Sequence, residues 1–320
     1  MFEESWGPRT QDVVHASLLT LARHGEASLV MVPLLLTNAA FRRSVTHEIA
    51  SADPIALGPF WAWYEGLSDA ERGAVIAPVM NKLRAFLLDP RIRGVLGQVA
   101  PRFDLAQVFT DRKIVLVPLR KGTLGQASAQ LLGSLIVAQL WQSSQSRTAL
   151  PVARRTPVMI YIDEVQDYLH LPTDLSDALA QARGLGVGFT VAHQYLGQLP
   201  RELKAGLLGN VRSRICFQLD HDDATVMAKG HPELTADDFS ALPAFHVYAS
   251  LASQGRTTRY VSGRTLPATS ALSDPHCVHQ SSAELYGRDR GEIERDITAL
   301  ATGSTTGDAS TSTGRRRRQP

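Results

Sequence analysis

The sequence predicts an α/β protein: a parallel-sheet core preceded by a mainly α-helical domain. Two observations carry this. Apolar residues recur at helical spacing up to about residue 88, and short, fully apolar runs alternate with helical stretches from residue 113 onward. In the first part Val13, Val14, Leu18 and Leu21, then Val75, Val79, Leu83, Phe86 and Leu87, mark helix faces. Pro54, Pro59, Pro78 and Pro90 punctuate them, and no alternating strand intervenes. In the second part KIVLVP (113–118), VMIYI (158–162), the run 187–192 and the run 215–219 read as strands buried on both faces. Helices are expected at 126–142, 174–184 and 202–209, a polar linker at 143–157, and a hairpin from 246–252 and 257–262 joined by SQGR. The boundaries are therefore 1–112 for the helical domain, 113–267 for the core, and 268–320 for a weakly ordered to disordered tail. Residues 302–314 are Ser/Thr/Gly-rich and lead into Arg315, Arg316, Arg317 and Arg318.

With 44% hydrophobic and 20% charged residues, the 320-residue chain has the make-up of a soluble globular protein. Its net charge of +2 excludes a bulk-charge argument for nucleic acid. No apolar run reaches the ~20 residues of a membrane span, and MFEESWGPRT lacks the pattern of a signal peptide. Cys216 and Cys277 are too few for a zinc site and read as plain small side chains, which suits a reduced, cytoplasmic setting.

The chemistry concentrates in VMIYIDEVQDYL, residues 158–169. A buried strand delivering Asp163 and Glu164 at its carboxyl end is what nucleotide hydrolysis needs: one carboxylate for Mg²⁺, usually through water, and one to polarise the attacking water. By itself such a strand end is also a common acidic loop start. The next strand delivers His193 and Gln194, and a glutamine amide there can touch both γ-phosphate and water, or simply cap a strand. Arg183 ends the intervening helix, where it can serve a neighbouring subunit as an arginine finger or merely complement the helix dipole. Asp222 and Asp223 read as a helix N-cap rather than a metal site. Trp61, Trp63 and Tyr64 read as helical-domain packing rather than a stacking platform for single-stranded DNA.

In order and spacing, SWGPRTQDVVHASLLTL, APVMNKLRAFLLDPRIRGVLG, KIVLVPLRKGTLGQASAQLLGSLI, YIDEVQDYL, ALAQARGLGVGFTVAHQYLGQLP, NVRSRICFQLDHDDA and LTADDFSALPAFHVY together resemble the C-terminal part of HerA/FtsK-superfamily ATPases. The similarity is to TraG/TraD-type coupling proteins of conjugation and type IV secretion. It implies a RecA-like P-loop NTPase core with a helical domain inserted. It also implies ATP and Mg²⁺ as cofactors, DNA as partner and a homo-oligomer, a hexameric ring. On the matching positions Asp163 and Glu164 look like the Walker B pair, Gln194 like the sensor glutamine and Arg183 like the trans finger. Relaxase or secretion-channel components are implied as further partners, with a place in the cytoplasm or at the inner face of the membrane.

One departure is plain: GxxxxGK[ST] occurs nowhere in the chain. Lys121 in LRKGTLG precedes its glycine bend, and the family carries this turn in addition to its phosphate loop, so Lys121 does not replace it. The sheet is then expected to be incomplete, since the phosphate-loop (Walker A) strand of RecA-like motors lies between those matching 187–192 and 215–219. Because the chain opens inside a family segment, a truncated or split motor is expected, with a separate chain supplying the Walker A half. The alternative is a non-catalytic ring-assembly or DNA/relaxase-docking module. The Arg315–Arg318 run offers a salt-sensitive DNA contact or a solubilising tail.

Overall fold

The computed structural model describes residues 7–25, 27–169, 175–253 and 255–302. The chain divides into two compact units, residues 103–274 and the remainder.

The helical unit opens with α1 (Pro8–His24), α2 (Met31–Thr37), α3 (Ala39–Ala52), α4 (Leu57–Gly66), α5 (Asp69–Leu87) and α6 (Pro90–Leu96). Its boundaries follow from capping. The Asn38 side chain accepts the amides of Ala40 and Phe41 at the start of α3. Ser68 and Glu71 form a reciprocal capping box on α5. Of the residues marked by spacing, Val13, Leu21, Val75 and Val79 are buried in one core with Leu35, Leu36, Val45, Trp61 and Tyr64, whereas Leu18 is exposed. Trp61 donates its indole N–H to Thr20 Oγ1 at 2.9 Å and Tyr64 its hydroxyl to the Leu36 carbonyl at 2.7 Å, so both are core residues; Trp63 is the exposed member of the trio. Arg42 is buried among them, lying over the Tyr64 ring and donating to Glu65 and to the last carbonyls of α2.

The α/β unit contains α7 (Gln107–Thr110), α8 (Lys121–Leu124), α9 (Gln126–Ser146), β1 (Val158–Ile162), α10 (Val165–Tyr168), α11 (Leu175–Ala182) and β2 (Val187–Val191). It continues through α12 (Arg201–Asn210), β3 (Arg214–Cys216), α13 (His221–Ala228), α14 (Ala236–Ser240) and the short strands β4 (His246–Ser250), β5 (Ala252–Ser253), β6 (Arg256–Thr257) and β7 (Val261–Arg264). β1 and β2 pair in parallel, Val158 opposite Val187 through Ile162 opposite Val191, as expected for strands joined by a helical crossover. Side chains from this pair and from β3 enter one core with Trp141, Val165, Leu196 and Phe239.

Five sequence expectations need correction here. Residues 113–118 form no strand: among the described residues no backbone hydrogen bond joins this stretch to another strand, and Ile114 and Leu116 are 90% and 80% exposed. β1 is buried on one face only, with Tyr161 72% exposed on the other. The run 215–219, read as a strand of the parallel sheet, is the shorter β3 at the edge of an antiparallel sheet, β3–β4–β7; the expected hairpin is divided between β4–β7 and the two-residue pair β5–β6. Finally, the tail read as weakly ordered contains α15 (Pro275–Tyr286) and α16 (Arg290–Thr302), which belong to the helical unit. Ile293 is buried, Glu294 pairs with Arg93 at 2.9 Å, and Ile297 lies over Gly97, which is why α16 is held. Arg315, Arg316, Arg317 and Arg318 lie outside the described residues.

Candidate active site

The carboxyl ends of β1 and β2 set the site. Beyond the strands the ladder continues: Ala192 N–H donates to the Ile162 carbonyl at 2.9 Å and Val165 N–H to the Ala192 carbonyl at 3.0 Å. Asp163 and Glu164 must leave the sheet between these bonds, and the backbone manages it by turning left-handed at Glu164, φ 51° and ψ 52°. A non-glycine residue in that conformation costs about 1–3 kcal/mol and persists only where its surroundings fix it. Asp163 Oδ1 accepts the Glu164 amide at 3.0 Å, and the Asp163 side chain stays open to water.

The turn delivers the Glu164 carboxylate to β2. Gln194 Nε2 donates to Glu164 Oε1 at 2.6 Å, and Gln166 Nε2 donates to Oε2 at 2.6 Å. These two amides hold the carboxyl below its usual range, so it is anionic near neutral pH with each oxygen already oriented. Gln194 is placed by its own turn: Gln198 Oε1 accepts the amides of Gln194 and Tyr195 at 3.2 and 3.4 Å, and buried Asp223 accepts the Leu196 amide at 2.7 Å. Asp223 is thus a brace for this loop rather than a helix cap; the cap of α13 is Asp220, which accepts the Asp223 amide. Burial holds His193 below its usual value, so it is neutral beside this anion.

Arg183 is elsewhere. It lies before β2, at the amino end of the strand whose carboxyl end carries Gln194. Five strand residues separate those ends by roughly 16 Å at ~3.3 Å per residue, too far for Arg183 to reach Glu164 of its own chain. Its loop is built rigidly nonetheless. Arg155 donates to the Gly184, Leu150 and Thr148 carbonyls at 2.6, 3.0 and 3.2 Å, and Arg147 to Thr156 and Gly186. Arg147 is only 4% exposed and burial, with the like charge of Arg155, holds its guanidinium below the usual value. Gly186 has φ +71°, and a Cβ there would stand 2.9 Å from the Arg155 carbonyl oxygen. Both arginines fall in a stretch the sequence offered only as a linker.

A further group came unannounced. Lys121, at the start of α8, contacts Asp167 in α10, and Gln130 Nε2 donates to the other Asp167 oxygen at 2.9 Å. The contact spans 46 residues, so spacing gives no sign of it.

The residues fit part of a magnesium–nucleotide site. Mg²⁺ is commonly held by one or two carboxylates, waters and substrate phosphates, and Asp163, exposed beside Glu164, suits that role. Among the described residues no cluster of three or more His, Cys, Asp or Glu side chains forms an all-protein metal cage. No GxxxxGK[ST] phosphate cradle occurs in the sequence.

No protein-family model matches the chain, and no curated protein matches its sequence. Solved structures do. The bacterial conjugative coupling protein TrwB in its unbound form matches with TM-score 0.57 at 16% identity, over 84% of this chain and 65% of that one. The plasmid coupling protein TrwB in complex with ADP and Mg²⁺ matches with TM-score 0.50 at 16% identity, over 82% and 65%. The chain therefore shares the RecA-like α/β fold with a helical domain seen in TrwB, and spans a little under two thirds of the length of those chains.

Proposed function

We propose that this chain is the C-terminal part of an ATP-driven DNA translocase, a coupling ATPase of the kind that serves conjugative or type IV secretion DNA transfer. The observation that supports it best is the Glu164–Gln194 hydrogen bond across the carboxyl ends of two parallel strands, in a chain with the TrwB fold. In this reading Glu164, already anionic, takes the proton of the attacking water. Gln194 shares that carboxylate, so a change at the γ-phosphate position is felt by Glu164 through one amide. Asp163 would hold Mg²⁺, through water; bound Mg²⁺ supplies charge neutralisation on the phosphates. Arg183, out of reach in its own chain, acts in trans on a neighbouring copy, which calls for a ring, a hexamer in the family the sequence resembles. The phosphate loop comes from outside these 320 residues, from a Walker A half on a separate chain or segment. DNA is the cargo, relaxase or secretion-channel components are further partners, and the cytoplasm, at the inner face of the membrane, is the place of work. Among the described residues no helix is long and apolar enough to cross a membrane.

The test is reconstitution. The chain alone should show little ATPase activity. Added to a polypeptide carrying GxxxxGK[ST] and its strand, it should create activity that Glu164→Gln removes and Arg183→Ala strongly reduces. Unchanged turnover in Glu164→Gln would refute the assignment.

A second reading is favoured by one specific observation, the missing GxxxxGK[ST]. It makes the chain a non-catalytic ring-assembly or DNA/relaxase-docking module. Nucleotide-independent assembly, with no ATPase under reconstitution, would select it.

A further inference from the structure

We propose that Lys121 and Asp167 are positioning residues for Glu164: their contact ties the turn after the glutamate to the start of α8 and so keeps the Glu164 carboxylate on Gln194. The inference deepens the hydrolase reading and rests on it only for its effect on turnover.

The left-handed turn at Glu164 needs to be fixed from outside, and three anchors do so. Val165, wholly buried, donates its amide to the continuation of β2. Tyr168 packs on Gly133 of α9, where the lack of a side chain lets the ring sit against the helix. Between them Asp167 donates its own amide to the Glu164 carbonyl at 2.9 Å, while its carboxylate takes Lys121 Nζ on one oxygen and Gln130 Nε2 on the other. The first two anchors are apolar or main-chain and hold the turn in place. The third alone fixes its rotation, because it grips a side chain from two directions and passes the constraint to Glu164 through one backbone bond.

Topology makes this useful. Residues 113–118, β1 and β2 are each followed within a few residues by participants in the site: Lys121 in α8, Glu164 and Asp167 after β1, and Gln194 after β2. Three segment ends are thereby connected by side chains, Lys121 to Asp167 and Glu164 to Gln194. Asp167 is largely buried whereas Lys121 is partly exposed, so the ammonium keeps some hydration while the carboxylate leans on protein donors, Lys121 and Gln130 among them. Besides burial, the charges of Lys121, Asp167, Glu164 and Asp163 are felt at the Tyr168 hydroxyl, the lysine opposing the three carboxylates.

The test uses the full 320-residue chain without nucleotide, labelled with ¹⁵N. Its readouts are the Gln194 side-chain amide resonance and hydrogen exchange at the Val165–Leu169 amides. Lys121→Met and Asp167→Asn should each move the Gln194 amide toward the position of a free glutamine. Each should also speed exchange across the turn by roughly tenfold, the loss expected for one charged hydrogen bond. Lys121→Arg should retain both signals. Glu164→Gln should alter the Gln194 resonance and leave exchange at Leu169 nearly unchanged, which separates the reporter from the clamp. Wild-type values in Lys121→Met or in Asp167→Asn would overturn the proposal, as would Lys121→Arg behaving like Lys121→Met. Should Lys121→Met fail to fold, Asp167→Asn and Lys121→Arg decide it by the same readouts. If the clamp variants behave as expected while a reconstituted assembly hydrolyses ATP regardless of Glu164→Gln, the positioning stands and the hydrolase reading falls.

Discussion

Gly133→Ala should destabilise the α/β unit even though alanine is the better helix former. Gly133 lies mid-way along α9. A Cβ built there would stand 2.8 Å from Leu119 Cδ1 and 2.9 Å from Tyr168 Cε1, and closer still to Tyr168 Cδ1. Carbon atoms in contact settle at ~3.5–4.0 Å, so the tyrosine ring must withdraw by about an ångström or more. Over-packing of this kind costs about 1–3 kcal/mol, offset by ~1 kcal/mol of helix propensity. The net loss is about 1 kcal/mol, or a fall in melting temperature of roughly 2–4 °C for a unit of this size. Gly73→Ala in α5 is the control. A Cβ there meets nothing within 4 Å, so the same exchange should stabilise the helical unit by about 1 kcal/mol. Urea unfolding followed by circular dichroism, with calorimetry, reads both. Opposite signs are expected; Gly133→Ala matching or exceeding the parent would show that the Tyr168 contact does not constrain α9.

Three further predictions concern charge and loop order. The Asp89 carboxyl, held down to about 2 by the Arg91 side chain and then by the Arg91 amide, is depressed relative to its ordinary value. Its contribution is therefore present above ~4 and lost as pH falls toward about 2. Asp89→Asn keeps the cap on α6, and should flatten that acid limb in urea midpoints taken at pH 5 and pH 2. Tyr260 behaves in the opposite sense: burial pushes its hydroxyl up to about 12. The contribution is full below ~10 and disappears as pH rises to about 12, so Tyr260→Phe should lessen alkaline destabilisation and remove the last step in a tyrosinate absorbance titration. Arg155→Met removes the guanidinium that joins the Gly184 carbonyl, next to Arg183, to the Leu150 and Thr148 carbonyls. Trypsin cleavage after Arg183 should then accelerate by roughly tenfold or more, whereas Arg154→Met should leave it unchanged.

What the sequence disclosed of this site was whatever local pattern encodes. VMIYI ended by Asp-Glu, and the run 187–192 ended by His-Gln, are read correctly as strand ends because the apolar run and the polar stop are adjacent in the chain. The aromatic core of the helical unit is legible for the same reason, Trp61 and Tyr64 falling on one helix face. Residues 113–118 mislead because an apolar β-branched run states a preference for extended backbone, while strand formation needs a partner elsewhere in the chain. α15 escapes a pattern reading because none of its side chains is buried, so no apolar stripe was required. Lys121, Asp167, Arg147 and Arg155 stay hidden because each is defined by contacts with distant residues or carbonyl oxygens, which leave no periodicity.

The bare stretch at 113–118 bears on how copies of this polypeptide meet one another before any chemistry begins. The apolar run Ile114 to Val117, whose backbone bonds no other strand among the described residues, is a surface that pairs with its like. The encounter rate between such surfaces grows with the square of their number. The quantity of material that stays dispersed is then governed by how quickly newly made copies find cover, and a stiffer helical unit would do nothing to raise it.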